Sequence, residues 1–310
     1  MTPKPVQIPV AGATLLGERW MGDRVAVALL HAGVCDRRCW REVGERLAAA
    51  GCDVVAYDRR GFGQVPPADR PFRHVDDLLA VINAVSPHAP AWLIGSSMGG
   101  EVALDAALEA PERVAGLVLL APAVGGDPDP DEAAFNAATN GLAGAIDAAW
   151  TAGDLEACNR LEVRLWLDGP AGPEGRVSGP PRELALEMNR IVIANGEPKA
   201  DGASGIDAAS RLKEMTIPAI VACGELDVPT KVRRSAELAD ALPNATYRTL
   251  PGRAHLPYLE APAEVAASRT KVSDNRAKHR FPDTTWGKAC SIPSTPMPRS
   301  ATAPSTSPFR

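Results

Sequence analysis

The sequence predicts an α/β protein, with a mostly parallel sheet covered by helices on both faces, an inserted helical cap and a disordered C-terminal tail. Up to about residue 122, short apolar runs alternate with amphipathic helical patterns. The apolar runs are nearly continuous, as expected of strands buried on both faces, and the helical stretches between them supply the crossovers that parallel pairing needs. The alternation stops over 123–210 and returns over 211–267.

In order along the chain, Val6–Val10 and Thr14–Trp20 read as an opening antiparallel hairpin. Val25–Leu30, Asp53–Tyr57, Trp92–Ile94 and Gly116–Leu120 read as buried strands, with helices at Trp40–Ala50, Val75–Val85 and Met98–Ala110. The domain division that follows is 1–122 for the first part of the core, 123–210 for the cap and 211–267 for the second part. Cap helices are expected at Asp131–Trp150, Leu155–Leu167 and Pro181–Asn195, broken by the Gly/Pro-rich stretch Gly169–Gly175. A strand at Ile217–Cys223, a helix at Val232–Leu242 and a strand at Ala245–Leu250 complete one sheet. A last helical pattern starts at Pro262–Ala267 and is lost midway. Residues 268–310 contain no leucine, six prolines and thirteen Ser/Thr, a composition that supplies no core-facing stripe. The abrupt change points to a tail that arose by an altered reading frame or terminus.

A length of 310 residues with 45% hydrophobic content suits a globular chain. No apolar run approaches the roughly 20 residues that span a bilayer, and the first residues lack a secretory h-region, so a cytoplasmic protein is expected. The net charge of −5 is uneven: 268–310 holds eight Lys/Arg against two Asp/Glu, leaving 25 against 36 before it. An acidic body argues against a nucleic-acid partner. The six cysteines, Cys35, Cys39, Cys52, Cys158, Cys223 and Cys290, are scattered and read as reduced thiols. Cys35 and Cys39 lack a second pair at ligand spacing, so neither metal nor cofactor is expected.

The chemistry centres on Gly95-Ser96-Ser97-Met98-Gly99, where an apolar strand runs into a helix. Small residues on both sides allow a sharp turn that lifts the Ser97 hydroxyl above the sheet and leaves the Met98 N–H free to donate to an oxyanion. A serine hydroxyl needs a base, and the base needs an orienting acid. His255, in a loop after the last strand, and Asp227, in a loop after the strand before it, fill those roles in the chain order Ser97, Asp227, His255. Glu225 and Asp127 stand in reserve as the acid. The second oxyanion donor is expected from the loop after Leu30, with Gly33 first and Val34 second, and His31 pinning that loop. Trp150, Leu161, Leu165, Trp166 and Met188 either line a substrate pocket or form the core of the cap, the latter being favoured.

These motifs, together with Asp58-Arg59-Arg60-Gly61-Phe62-Gly63, resemble the α/β-hydrolase superfamily over residues 5–267. His31–Trp40 and Arg211–Pro218 resemble its lactonase- and esterase-like branch, which includes the 3-oxoadipate enol-lactonases. The resemblance implies ester or lactone hydrolysis of a small molecule through an acyl-enzyme. Hydrolysis of a C–C bond or peracid formation by the same residues, or a non-catalytic binding fold, are the alternatives. Ala32 stands where the family usually has glycine, and the closing helix is interrupted.

Overall fold

A computed structural model describes residues 2–128, 131–196, 200 and 202–268. Its strands are β1 (Lys4–Val10), β2 (Ala13–Trp20), β3 (Ala26–Leu30), β4 (Asp53–Tyr57), β5 (Ala91–Ser96), β6 (Val114–Leu120), β7 (Ala219–Gly224) and β8 (Ala245–Leu250). They form one sheet in the order β1-β2-β4-β3-β5-β6-β7-β8. The first hairpin pairs antiparallel and adds antiparallel to β4, and every later pairing is parallel.

Alternate side chains of the central strands enter two separate cores. Ala28, Leu30, Leu93, Leu117 and Val221 pack on one face with Leu78 and Ile82 of α2 (His74–Val85), Leu104 of α3 (Met98–Glu109) and Leu238 of the helix Pro229–Ala241. Val27, Leu29, Ile94, Val118 and Ala222 pack on the other with Val43 and Leu47 of α1 (Arg41–Ala49) and with Tyr258 and Val265. Burial on both faces explains why β3, β5 and β7 read as unbroken apolar runs, whereas edge strand β8 carries Thr246, Arg248 and Thr249.

The helical region inserted between β6 and β7 comprises α4 (Glu132–Ala138), α5 (Leu142–Thr151), α6 (Leu155–Val163) and α7 (Pro180–Asn195), and the short α8 (Ala208–Arg211) leads back to the sheet. The single helix expected over Asp131–Trp150 is two helices. Asn140 and Gly141 both take positive φ, 54° and 80°, and this Asn-Gly pair ends one helix and starts the next. The helix expected to reach Leu167 stops at Val163 and widens into a π-type turn over Arg164–Asp168. Helix α9 (Pro229–Ala241) starts earlier than Val232, because Pro229 suits the first helical turn, where no N–H is needed. Helix α10 (Pro257–Glu260) follows β8, and 262–268 is helical. Apart from Ser268, the expected tail lies outside the described residues, as does Cys290. Cys35, Cys39, Cys52, Cys158 and Cys223 are buried and form no disulfide among the described residues.

The turn after β4 is tied down by buried charge. Arg60 makes two 2.8 Å hydrogen bonds to the Asp77 carboxylate in α2, and its Nη2 also donates to the Ala11 carbonyl at the tip of the opening hairpin. Asp77→Ala leaves this guanidinium buried and unpaired, and should lower stability by roughly 3 kcal/mol, read from the urea midpoint at unchanged slope.

Candidate active site

Ser97 sits at φ 52°, ψ −120°, between the end of β5 and the first residue of α3. The conformation is unfavourable for a residue with a Cβ and persists because the surroundings fix it. The Ser97 N–H donates to the Leu120 carbonyl at 3.0 Å, and its own carbonyl accepts from Gly100 at 2.8 Å and Ala123 at 3.0 Å. The neighbouring glycines allow the chains to close. A Cβ on Gly95 would collide with the Gly99 carbonyl, and one on Gly99 would collide with Leu30 O and lie 2.7 Å from His31 O.

That last approach brings the loop after β3 against the start of α3. A Cβ on Gly33 would have Met98 Sδ as its neighbour at 4.0 Å, so Gly33 lies beside the serine turn, and Val34 follows it. The Met98 N–H belongs to the first turn of α3 and has no intrahelical acceptor. His31 holds the loop as expected. It is fully buried, its Nδ1 lies 2.8 Å from the Ala32 carbonyl, and its Nε2 accepts from the Arg59 N–H at 3.2 Å. Burial, with the nearby Arg59 charge, holds its pKa well below the usual histidine value. Arg59 itself donates from Nη2 to His31 O at 2.9 Å and lies over the Phe62 ring, and burial pulls its pKa down to about 10. Sequence reasoning treated Arg59 only as part of a turn motif.

Asp227 and His255 come together across the ends of β7 and β8. His255 Nδ1 lies 2.7 Å from Asp227 Oδ2, and the two residues are 2% and 4% exposed. The other carboxylate oxygen accepts from the Val228 N–H at 2.7 Å, so Asp227 is held from two sides. The histidine loop rests on Gly224, where any Cβ would strike the Ala254 and Arg253 carbonyls. The reserve acids are engaged elsewhere: Glu225 accepts from the Gly252 N–H at 2.9 Å, and Asp127 pairs with Arg234. Ser97 follows β5 and these two residues follow β7 and β8, so all three lie at the carboxyl edge of the parallel strands. In this structure the Ser97 hydroxyl makes no hydrogen bond to the His255 ring.

The inserted region reaches this edge through Trp166 in the π-type turn. Its carbonyl accepts from the His255 N–H at 3.1 Å, and its indole lies 4.6 Å from the imidazole, centroid to centroid. Arg176 fastens the same turn, donating to Leu167 O at 2.6 Å, Asp168 O at 2.9 Å and Gly252 O at 3.0 Å, and pairing with Glu260 at 2.6 Å. Nothing local in the sequence marks Arg176, which directly follows the Gly/Pro-rich stretch. Leu165 and Trp166 also line a cavity of about 520 Å³ within the inserted region. Trp150, Leu161 and the buried Leu165 pack into the small core of that region, and Met188 is wholly buried in the core on the α1 face of the sheet, so the favoured core reading holds for these four.

A sheet of this topology with a strained serine at its strand-to-helix turn is the architecture of α/β-fold hydrolases. Residues 27–268 match the Alpha/beta hydrolase family, and the chain belongs to that family. It is similar to RutD of Variovorax paradoxus, a protein named for carbamate hydrolysis, with 27% identity over 240 residues covering 70% of this chain and 80% of the relative. It is also similar to the pimeloyl-acyl-carrier-protein methyl ester esterase of Pectobacterium atrosepticum, with 27% identity over 252 residues covering 76% of this chain and 89% of the relative. A solved thermophilic esterase from Thermogutta terrifontis shares the fold, with TM-score 0.65, 23% identity and coverage of 88% and 98% of the two chains. None of these ties the chain to the 3-oxoadipate enol-lactonases. Among the described residues, no helix is long and apolar enough to cross a membrane.

Glu162 of α6 lines the cavity and is 1% exposed, and burial pushes its pKa up to about 7 from an ordinary 4.5. The folded chain therefore keeps a proton there that the unfolded chain has already released. Its stabilising effect is complete below about pH 4.5 and is lost as pH rises through about 7. Glu162→Gln should remove up to roughly 3 kcal/mol of this fall, so urea midpoints at pH 5 and pH 8 should converge in the variant relative to the parent.

Proposed function

We propose that this protein hydrolyses carboxylic esters or lactones of small molecules through an acyl-enzyme on Ser97, with residues 123–210 acting as a cap over the site. The observation that carries this reading is the buried 2.7 Å His255–Asp227 contact at the strand edge that also presents Ser97. Nδ1–H of His255 donates to Asp227, which leaves Nε2 as the acceptor for the serine proton.

Ser97 Oγ attacks the carbonyl carbon while its proton passes to His255. The imidazolium is stabilised by Asp227 and returns the proton to the departing alkoxide. Water then repeats the sequence on the acyl-serine, with His255 again as base. Negative charge on the carbonyl oxygen is held by the Met98 N–H, where the helix N-terminus adds its dipole, and by the Gly33 N–H. Gly33 is preferred to Val34 because it lies beside Met98, whose Sδ would be 4.0 Å from a Gly33 Cβ. Serine–histidine hydrogen bonds of this kind commonly tighten only when substrate binds. The relatives named for methyl ester and carbamate hydrolysis support attack on an acyl carbon bearing a heteroatom leaving group. Serine at the elbow sets the chain apart from the aspartate chemistry of halide- and epoxide-opening members of this fold.

The test is turnover of p-nitrophenyl esters of rising acyl length, small lactones and aryl carbamates by the purified full chain. Ser97→Ala and Asp227→Asn should each lower kcat by about 10³-fold or more, with little change in KM. Equal rates for Ser97→Ala and the parent would refute the assignment.

A further inference from the structure

Ser97 is fixed at a strand-to-helix junction inside the sheet, but His255 lies in a loop beyond the edge strand β8. Four successive residues of that loop are held from outside it. The Gly252 N–H donates to Glu225 Oε2 at 2.9 Å, and the Arg253 carbonyl accepts from the Leu226 N–H at 2.8 Å. These two ties set the loop against the segment that carries Asp227. Three more reach it from elsewhere. Arg176 Nη1 donates to the Gly252 carbonyl at 3.0 Å, Glu260 Oε1 accepts from the Ala254 N–H at 2.8 Å, and the Trp166 carbonyl accepts from the His255 N–H at 3.1 Å.

Arg176 joins these three ties into one unit. Its Nη1 also donates to Glu260 Oε2 at 2.6 Å, on the carboxylate whose other oxygen holds the Ala254 N–H. Its Nη2 reaches the Leu167 carbonyl at 2.6 Å and its Nε the Asp168 carbonyl at 2.9 Å, in the same turn as Trp166. One rigid fork of donors thus spans the π-type turn, the histidine loop and α10, a reach that the single ammonium of a lysine does not have. The Glu260 side chain is 2% exposed, so its hydrogen bonds are charge-assisted and little screened. Without the guanidinium that carboxylate is left buried and unpaired, and it must turn towards water and release the Ala254 N–H. The angle of the imidazole follows from this backbone and from the Trp166 indole, 4.6 Å away. Proton transfer demands that angle be correct, because Nε2 must come within hydrogen-bond reach of the hydroxyl.

We propose that Arg176, acting through Glu260, is the positioning residue of the general base: it holds the backbone of 252–255 where the His255 ring can meet the Ser97 hydroxyl. The proposal rests on the hydrolytic reading above for the role of His255. It makes the inserted region more than a cover for substrate, since the group that places the proton carrier belongs to that region and lies outside the sheet domain.

The experiment compares variants of the full chain on p-nitrophenyl acetate. Arg176→Ala should lower kcat by about 10²-fold and change KM by less than about twofold, because the base is displaced while substrate contacts remain. Arg176→Lys should recover little of the loss. Guanidinium chloride at non-denaturing concentration should restore kcat in Arg176→Ala, and urea, neutral and of similar shape, should not. Arg182 serves as the control. It donates to Asp168 Oδ2 at 2.7 Å in the same turn, and none of its hydrogen bonds among the described residues reaches the histidine loop. Arg182→Ala should lose stability and keep kcat within about twofold of the parent. Equal kcat losses in the Arg176 and Arg182 variants overturn the proposal, as does an unchanged kcat in Arg176→Ala. Should that variant not fold, Glu260→Gln reports in its place: it keeps an oxygen for the Ala254 N–H, loses the charge that holds the guanidinium, and should lower kcat about tenfold, with an unchanged kcat overturning the proposal. Proton NMR of the His255 Nδ1–H bonded to Asp227 reads the geometry without turnover, and its resonance should be displaced in Arg176→Ala and unmoved in Arg182→Ala. A parent that hydrolyses nothing but shows this pattern keeps the positioning assignment and loses the function. One that hydrolyses esters while Arg176→Ala matches it in kcat and in this resonance keeps the function and loses the assignment.

Discussion

The structure turns on the close approach of three backbone segments around Ser97. The end of β5, the first turn of α3 and the loop after β3 meet where Gly95 and Gly99 leave no room for side chains, and Ser97 is forced into a left-handed backbone conformation between them. The strain is tolerable only because the parallel strands on either side are clamped by two cores. One crowded junction thereby sets the Ser97 backbone, places the start of α3 against the loop after β3 and brings Gly33 alongside. Opening the junction by a single methyl group would disturb all three at once.

Much of this was legible in the sequence because the signals are local. Continuous apolar runs located β3, β4, β5 and β6 to within a few residues, since burial on both faces allows little else, and Ser97 was marked by its small neighbours. Asp227 and His255 could be chosen because each follows an apolar strand near the end of the chain. What local pattern could not supply was which polar residues meet across the fold. Glu225, Asp127 and Asp227 look alike in sequence; only the register of β7 and β8 and the Arg234 pairing separate them. The Asn140-Gly141 pair is a local turn signal, but the apolar periodicity on either side masks it.

Buried polar groups do different work on the two sides of the serine. Around Arg59 and His31 they fix a loop, with a guanidinium pinned to a carbonyl and a neutral ring pinned to two backbone groups. In the inserted region, Asn159, Asn189 and Glu162 form a chain of side-chain hydrogen bonds between α6 and α7, where an apolar contact would have packed the helices as well. The first arrangement serves geometry alone. The second ties two helices of the inserted region together through polar side chains.

The Arg176 knot has a mechanical result. One guanidinium joins the 164–168 turn to the loop carrying His255, and the backbone of Trp166 supports the histidine directly. The insertion is therefore anchored at the imidazole and cannot drift as a separate body at that end. Changes that tilt or shift this turn are transmitted directly to the His255 backbone and ring.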